Sequence, residues 1–438
     1  MSDKNKTFMN EKLIPKIMWF VNLKAIVALK DGILFTMPLI IVGSVLLLIT
    51  QFPWTGFTDF MASVFGEGWT VPLSQAQNAS FGIIAIVAAI GIAYTYVKNE
   101  GFEPLSAGVL SLVVFLIATP STAANADGAI IDSVIPKAWT GGKGMITAII
   151  VGLLVGYLYS LLLKKDIKIK MPEGVPQGVV NAFSALLPAS IVILGAMFVY
   201  IFFSMVTGGT FVEWIYEVIQ TPLQGLSDSL GAVIVITFII PFLWMFGVHG
   251  STIVGGIMDP LLIANAQDNQ AIIDAGKELT IANGAHIVTH QFLNIYINMT
   301  GAGVTIGLVI AMLLFAKSAQ FKQLGKLTIL PGLFNINEPV LFGTPIVANP
   351  FMIIPFIGVP MLTGILLYLA IRIGLVPPFS GVMPPWTTPP IISGFMAGGW
   401  RAALFQAFEI VLSVAIYLPF FKKQDAMTLE MEKQAVKA

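Results

Sequence analysis

Charged residues and cysteine are what this chain has least of. Only 11% of its 438 residues are charged, cysteine is absent and histidine occurs three times. Soluble domains carry about 25% charged residues, and a chain that is 56% hydrophobic cannot hide its apolar surface in water. Without cysteine it forms no disulfide, thiolate metal site or cysteine nucleophile. Because the 23 basic and 23 acidic residues balance, no charge bias indicates nucleic acid, and a cytosolic enzyme, a nucleic-acid-binding protein and a disordered scaffold are excluded.

Long apolar runs instead indicate a polytopic membrane protein. A helix needs roughly 20 mostly apolar residues to cross the hydrocarbon core. Eight runs are clear candidates, and two shorter ones can cross if one end lies in a cavity lined by protein. The fold class is therefore predicted to be all-α, with about ten transmembrane helices. The predicted spans are 31–50, 80–97, 103–119, 144–163, 183–207, 229–247, 251–265, 301–316, 350–371 and 402–420.

The distribution of lysine predicts which loops face the cytoplasm. Short loops rich in Lys and Arg stay inside. Six lysines precede residue 31 and four follow the fourth span at 164–170, whereas 51–79 and 208–228 contain neither Lys nor Arg. Lysines at 317–326 and at 422–423 extend the alternation. Both termini are therefore predicted to be cytoplasmic.

A half-apolar segment divides the spans into two groups. Residues 208–228 place one Trp and one Tyr at positions typical of a membrane interface, and we interpret them as an amphipathic connector. The N-terminal lead-in has two open interpretations, an amphipathic helix on the inner leaflet or a short cytosolic segment. The predicted parts are the N-terminal segment 1–30, an N-terminal five-helix domain 31–207, the connector 208–228, a C-terminal domain 229–421 and a cytosolic tail 422–438.

Two apolar segments of the second half are too short and too polar to cross. Residues 281–299 and 327–345 are interrupted by Gly, Pro or Asn, and irregular backbone at membrane depth is tolerated only inside protein or beside a water-filled cavity. The lysines at 317–326 stay inside only if both segments are re-entrant. We therefore predict two opposed hairpins, an arrangement typical of a transporter substrate site.

Glu338 is the strongest candidate for chemistry. It lies in FNINEPVLFG inside the second hairpin, and an ionisable residue in an apolar stretch is costly and so is a functional-site hypothesis. Asn335 and Asn337 add polar groups to the same turn, and Asn337 is included among the substrate-binding candidates. A structural alternative is that Glu338 caps a half-helix or pairs with a buried cation. We favour a role as the acceptor for a sugar hydroxyl.

A histidine and two tryptophans extend the candidate site. His249 lies between two glycines in PFLWMFGVHGST, and a histidine near its ordinary pKa can donate, accept or shuttle a proton. Trp244 and Trp386 offer aromatic faces on which the C–H face of a pyranose ring can stack. Their structural alternatives are a hydrogen-bonded core histidine and interfacial anchors.

His286 and His290 have the spacing H-x-x-x-H, which can hold zinc on one helix face. No third ligand and no cysteine lie nearby in the sequence, so we expect no metal and no cofactor, and gating or polar packing is the better interpretation. The chain also lacks a Walker lysine motif. If phosphoryl transfer occurs here, the phosphate arrives on another protein.

Three motifs resemble a known family. GVHG around His249, FNINEPVLFGTP around Glu338 and MPPWTTPP around Trp386 are similar to the membrane component, enzyme IIC, of bacterial phosphoenolpyruvate-dependent sugar phosphotransferase systems. The similarity is greatest to the lactose, cellobiose and diacetylchitobiose family. It covers nearly the whole chain, including LKDGILFTMPLIIVGS around Asp31, and its most specific part is the Asn-Glu-Pro context.

The resemblance implies a homodimer in the bacterial cytoplasmic membrane. Its N-terminal domain would supply the dimer contact, and its C-terminal domain would hold the sugar. Glu338 and His249 would meet the 6-hydroxyl of the sugar as the catalytic pair. The residues that would shape the pocket are Trp244, Asn294 and Trp386.

The resemblance also implies partners. A β-linked disaccharide would be translocated while a phosphocysteine on a separate cytosolic IIB protein, itself supplied by IIA, phosphorylates it. A chain with no cysteine agrees with a separate donor. The alternatives are a proton-coupled sugar transporter in which Glu338 and His249 relay protons, a membrane receptor that does not transport, and a metal transporter that uses His286 and His290.

Overall fold

The structure is a computed structural model, and helices dominate it. The described residues are 14–52, 55–124, 129–245, 247–344, 346 and 351–437. Some predicted parts reach outside these ranges. They are residues 1–13 of the N-terminal segment, 53–54 and 125–128 of the N-terminal domain, 246 of the sixth span, 345 of the second hairpin, 347–350 before and at the start of the ninth span, and 438 of the tail.

Nineteen α-helices are described, and short 3₁₀ or π segments join several of them. The first ten are α1 (Ile14–Val21), α2 (Lys24–Ile33), α3 (Met37–Thr50), α4 (Thr55–Phe65), α5 (Thr70–Phe81), α6 (Ile84–Asn99), α7 (Leu105–Ile117), α8 (Lys137–Thr140), α9 (Met145–Lys164) and α10 (Gln177–Thr207). The others are α11 (Phe211–Ile215), α12 (Thr221–Ser227), α13 (Leu230–Trp244), α14 (Gly250–Asp274), α15 (Ile306–Phe315), α16 (Ala319–Leu333), α17 (Glu338–Gly343), α18 (Ile353–Arg372) and α19 (Ile392–Lys437).

Six helical runs of the described chain are long and apolar enough to cross a membrane, or seven if a pair bent by 72° is one span. The runs are Lys24–Thr50, Glu67–Asn99, Gly142–Lys164, Gln177–Thr207, Ile353–Arg372 and Ile392–Gln434, and the bent pair is Phe211–Ser227 with Leu230–Trp244. The chain is therefore a multi-pass membrane protein, and the count of ten spans stays a prediction. The helices around the predicted spans 103–119 and 301–316 have only 13 and 10 residues.

Two boundaries differ from the sequence prediction. The first helical run begins at Lys24, before the predicted residue 31, because α2 passes through a 3₁₀ turn into α3. Lys24 and Lys30 make this start look polar in the sequence. The predicted cytosolic tail 422–438 is helical as far as Lys437, as the end of α19. α19 is itself interrupted near its start, where Gly399 has a φ of 71°.

The all-α expectation misses one small sheet. Strands β1 (Thr122–Ala124) and β2 (Ile130–Asp132) pair antiparallel, with Thr122 opposite Asp132. Their side chains are mostly exposed. A half-buried strand is recognised in a sequence by alternating apolar and polar residues. These two strands have no buried face and therefore lack that alternation.

Both predicted hairpin segments are broken helices in the structure. Residues 281–299 contain a 3₁₀ turn, an irregular stretch and the π-helix Phe292–Ile297. In the second segment α16 ends at Leu333, residues 334–337 are irregular, and α17 begins at Glu338. The re-entrant arrangement itself stays a prediction.

Buried apolar side chains form two large clusters. One is built mainly from residues of 40–192 and the other from residues of 233–421. The first also takes in Ile263 and Ala266 of α14 and Val382 and Met383 of the loop before α19. The N-terminal and C-terminal parts of the chain therefore each have a core and touch along α14 and that loop.

Glycines set the distance between α9 and α6. A Cβ at Gly152 would lie 2.8 Å from the Cβ of Ile92 and 3.0 Å from the carbonyl oxygen of Ala89, and one at Gly156 would lie 2.7 Å from the Cβ of Tyr96. Since lipid offers no hydrophobic driving force between helices, close backbone approach at small residues is a main source of association. The Gly-x-x-x-Gly spacing of α9 therefore holds this pair together.

The substitution Gly152→Ala tests this packing. The added methyl group meets Ile92 and the Ala89 carbonyl, and we expect overpacking to lower the stability by about 1–3 kcal/mol. The control is Gly358→Ala in α18, where a Cβ has no atom within 4 Å. Thermal unfolding of both purified variants measures the difference, and equal stability of the two would contradict the close approach.

Candidate functional site

A cavity of about 600 Å³ gathers the residues singled out in the sequence. Its volume lies within the roughly 300–1,000 Å³ of ligand pockets. It is also lined by residues 30–41 of α2 and α3, so both parts of the chain contribute to it. The predicted site residues that line it are Trp244, His249, Asn294, Asn337, Glu338 and Trp386.

His249 caps the N-terminus of α14. Its Nδ1 accepts a hydrogen bond from the backbone N–H of Thr252 at 3.2 Å, and the Thr252 hydroxyl lies 2.8 Å from the same nitrogen. A backbone N–H can only donate, so Nδ1 carries no proton and the neutral ring is protonated at Nε2. The Trp244 ring packs against the imidazole with centroids 4.6 Å apart. The contacts therefore orient the ring and leave an N–H donor at Nε2.

Glu338 begins α17 and is half-buried. Its carboxylate makes no hydrogen bond or ion pair with any part of the chain that the structure describes. A carboxylate in partly buried surroundings that keeps both oxygens unpaired is costly. Its oxygens are therefore available to a ligand in the cavity, and the alternative in which Glu338 pairs with a buried cation finds no partner among the described residues.

Asn335 ties three segments together beside Glu338. Its Oδ1 accepts from the backbone N–H of Thr300 at 2.6 Å, and its Nδ2 donates to the carbonyl oxygens of Trp386 and of Thr388, the latter at 3.1 Å. Its φ of 64° is left-handed, a conformation that asparagine tolerates better than most residues. Asn335 therefore fixes the irregular turn from which Glu338 projects.

Asn337 is engaged within the protein. Its Nδ2 donates to the carbonyl oxygen of Ala302 at 2.7 Å and to the hydroxyl of Thr305 at 3.0 Å, and only 3% of the residue is exposed. It lines the cavity, but its donor nitrogen is already used. The contacts favour a part in holding the turn in place, and direct binding of substrate by Asn337 stays a prediction.

The turn that receives these amides is strained. Thr300 and Val304 have φ values of 56° and 52°, which is a genuine outlier for β-branched residues. Their backbone is held from the other side by α19, where the Ser413 hydroxyl donates to the Val304 carbonyl and the Tyr417 hydroxyl to that of Gly303. Strain of this kind persists only where the surroundings over-determine it.

A second polar cluster faces the cavity. His290 Nδ1 lies 3.2 Å from Asp259 Oδ1, and Asn294 Nδ2 lies 3.1 Å from the same His290 nitrogen. Asp259 and Lys30 both line the cavity, and the sequence analysis missed them. The sequence signal for Asp259 is a lone carboxylate in the apolar run before Pro260. In the sequence, Lys30 only indicates that the N-terminal segment is cytoplasmic.

His286 and His290 do not share a site. His286 Nδ1 lies 3.2 Å from Asp228 Oδ2 and its Nε2 3.7 Å from Asp268 Oδ2, whereas His290 pairs with Asp259. Among the described residues no group of three or more His, Cys, Asp or Glu side chains is arranged to hold a metal ion. Each histidine thus lies within hydrogen-bond distance of an aspartate, and a part in gating or polar packing stays a prediction.

The site's sequence and fold match known proteins. A family model described as "Phosphotransferase system, EIIC" matches residues 30–360. The lichenan permease IIC component of Bacillus subtilis is 39% identical over 98% of this chain and 96% of its own length. The cellobiose-specific EIIC component of the phosphotransferase system of Geobacillus stearothermophilus is 35% identical over 91% of this chain and 89% of its own.

A solved structure has the same fold. The crystal structure of the transporter ChbC, the IIC component from the N,N'-diacetylchitobiose-specific phosphotransferase system, superposes with a TM-score of 0.93. The two chains are 38% identical, and the match covers 97% of this chain and 99% of the other.

The substitution Asn335→Asp tests the turn. A carboxylate still accepts from Thr300 but offers no donor to the carbonyls of Trp386 and Thr388, and we expect a loss of about 1–3 kcal/mol. The control is Asn283→Asp, an exposed asparagine whose Nδ2 donates to one carbonyl. Thermal unfolding and hydrogen exchange at residues 386–388 measure the effect. Unchanged exchange there would show that Asn335 does not hold the turn.

Proposed function

We propose, from the premise that the chain belongs to the phosphotransferase system EIIC family, that it translocates a β-linked disaccharide across the bacterial cytoplasmic membrane. Translocation is coupled to phosphorylation of the 6-hydroxyl by a phosphocysteine on a separate IIB protein. The observation that carries the proposal is one cavity with an unpaired Glu338 carboxylate and an oriented His249. The chain is then the membrane subunit of a multi-component sugar phosphotransferase.

Glu338 and His249 divide the chemistry. The Glu338 carboxylate accepts a hydrogen bond from the 6-hydroxyl, orients its oxygen and takes its proton. The hydroxyl oxygen attacks phosphorus, an O–P bond forms, and the S–P bond of the phosphocysteine breaks to leave a thiolate. Because phosphoryl transfer depends mainly on position and charge, the Nε2–H of His249 serves by donating to a phosphoryl oxygen.

The walls of the cavity suit a sugar. Trp386 is 48% exposed and lines the cavity, so it can present an aromatic face to a pyranose ring. Trp244 also lines the cavity but is 5% exposed and packs against His249, so its part is to shape the pocket. Asn294 supplies a polar contact. Two of the similar proteins are named for cellobiose and N,N'-diacetylchitobiose, which supports a β-linked disaccharide as the substrate class.

Ion pairs support the proposed topology, in which three helix ends lie on the same side of the membrane. Glu100, at the end of α6, lies 2.7 Å from the Lys24 ammonium at the start of α2 and 2.5 Å from that of Lys164 at the end of α9. The hydrogen bonds from Lys164 and Lys24 lower the pKa of the Glu100 carboxyl. Three helix ends thus meet at one surface. This is the cytoplasmic surface if both termini are inside.

The proposed architecture is ten spans and two opposed hairpins. The N-terminal domain 31–207 makes a homodimer contact, the connector 208–228 joins it to the transport domain 229–421, and IIA lies upstream of IIB. The homodimer contact is supported by α10, because only 11% of its most apolar 18-residue stretch is buried inside the protein. An apolar helix with so little cover requires lipid or a second copy.

The substitution Glu338→Gln removes the proton acceptor and keeps the shape of the side chain. We expect the rate of sugar phosphorylation by a phosphorylated IIB protein to fall by about 10²-fold or more. Glu278→Gln, at an exposed position, is the matched control and should keep the full rate. Full turnover by Glu338→Gln would contradict the role of Glu338 as proton acceptor.

Two substitutions of His249 separate its two nitrogens. Asparagine can replace Nδ1 as the cap of α14 but places no donor at Nε2, whereas glutamine reaches the position of Nε2 and loses the cap. If donation from Nε2 is the catalytic contribution, His249→Gln should keep about tenfold more phosphorylation than His249→Asn. The reverse order would show that His249 acts as a cap.

A further inference from the structure

One face of α19 contacts two of the segments that build the site. The Gln406 amide donates to the Ile295 carbonyl at 2.7 Å, next to Asn294. Two and three turns further on, Ser413 and Tyr417 hold the strained turn that receives Asn335 and Asn337. One turn after Tyr417 on the same face, the Phe421 ring lies 5.5 Å from that of Phe321.

At the end of this face, two carboxylates of α19 are hydrogen-bonded to the start of α16, and we call this contact the clasp. Asp425 accepts hydrogen bonds from the backbone N–H of Lys317 at 2.8 Å and of Ser318 at 3.0 Å, and from the Ser318 hydroxyl at 2.6 Å. Glu432 accepts from the backbone N–H groups of Ala319 and Gln320, both at 2.9 Å. The N–H groups that a helix start leaves unpaired are therefore taken up by two carboxylates of another helix.

The other end of α16 leads directly into the site. α16 has 15 residues, or about 22 Å at the helical rise, and it ends in the irregular turn that carries Asn335 and Glu338. Asp425 is 3% exposed, so water cannot readily replace it at the clasp. α19 thus fixes the start of α16 and also holds the 300–304 turn. Asn335 and Asn337, which lie beyond the end of α16, are hydrogen-bonded to that turn.

We propose that Asp425 is a positioning residue for Glu338. By fixing the start of α16 against α19, it restricts where the turn after Leu333 places the Glu338 carboxylate. Glu432 assists from a more exposed position. The effect on phosphorylation rests on the proposed function, whereas the effect on backbone order does not.

Hydrogen exchange followed by mass spectrometry of the full-length protein in detergent tests whether Asp425 controls backbone order near Glu338. In Asp425→Asn we expect exchange to rise about tenfold at residues 317–320 and also at 335–340, while α9 is unchanged. The matched control is Glu430→Gln, which removes the same charge from an exposed position of α19 and should leave both segments unchanged. A rise confined to 317–320, or a rise throughout the chain, would overturn the proposal.

Kinetics with labelled cellobiose and a phosphorylated IIB protein test the consequence. A displaced carboxylate lowers the rate of the chemical step more than it weakens sugar binding, so for Asp425→Asn we expect kcat to fall about tenfold with KM changed less than about threefold. An unchanged kcat would overturn the positioning role. If the wild type transfers no phosphate, the proposed function fails, and the exchange data still decide whether the clasp controls the turn.

Ser318→Ala is the milder variant if Asp425→Asn does not fold. It removes the hydroxyl hydrogen bond to Asp425 and the N-cap bond that the same hydroxyl accepts from the Phe321 N–H, and it leaves the two backbone bonds to Asp425. The proposal predicts a smaller rise in exchange at the same two segments. No rise at 335–340 in a variant with raised exchange at 317–320 would contradict it.

Discussion

Backbone polar groups at membrane depth must find partners inside the protein, and the site is built around that constraint. Several segments that carry its residues are not regular helices, so some of their N–H and C=O groups cannot be satisfied within the segment. Amide, hydroxyl and carboxylate side chains do so instead. The side chains that hold this irregular backbone are Asp228, Asn265, Asn269, Gln291, Asn335, Asn337, Gln406, Ser413 and Tyr417.

This arrangement leaves the Glu338 carboxylate free of a structural role. Amides and hydroxyls already hold the turn before Glu338 and the 300–304 turn that it contacts, so neither turn depends on the Glu338 side chain. A buried amide such as Asn337 can both donate and accept and therefore suits backbone. A carboxylate only accepts, which suits a ligand hydroxyl or its proton.

The sequence was most informative where polar residues interrupt apolar runs. Glu338 and His249 stand out because burial of such groups is costly without a purpose, and the structure places both in one cavity. Lys30 and Asp259 escaped notice because a lysine near the N-terminus reads as a topology signal and the pairing of Asp259 with His290 is long-range. The helical tail after residue 421 was missed for the same reason, since its packing depends on contacts between Asp425 and Ser318.

The chemical form of the sugar inside cells tests the central claim most directly. Cells that produce this chain with a matching IIB protein would be fed labelled cellobiose, N,N'-diacetylchitobiose and lactose, and the intracellular label analysed by mass spectrometry. Group translocation at the Glu338 and His249 cavity predicts that one of them accumulates as its 6-phosphate. Accumulation of unmodified sugar that collapses with an uncoupler would contradict it and would make Glu338 the carrier of a coupled proton.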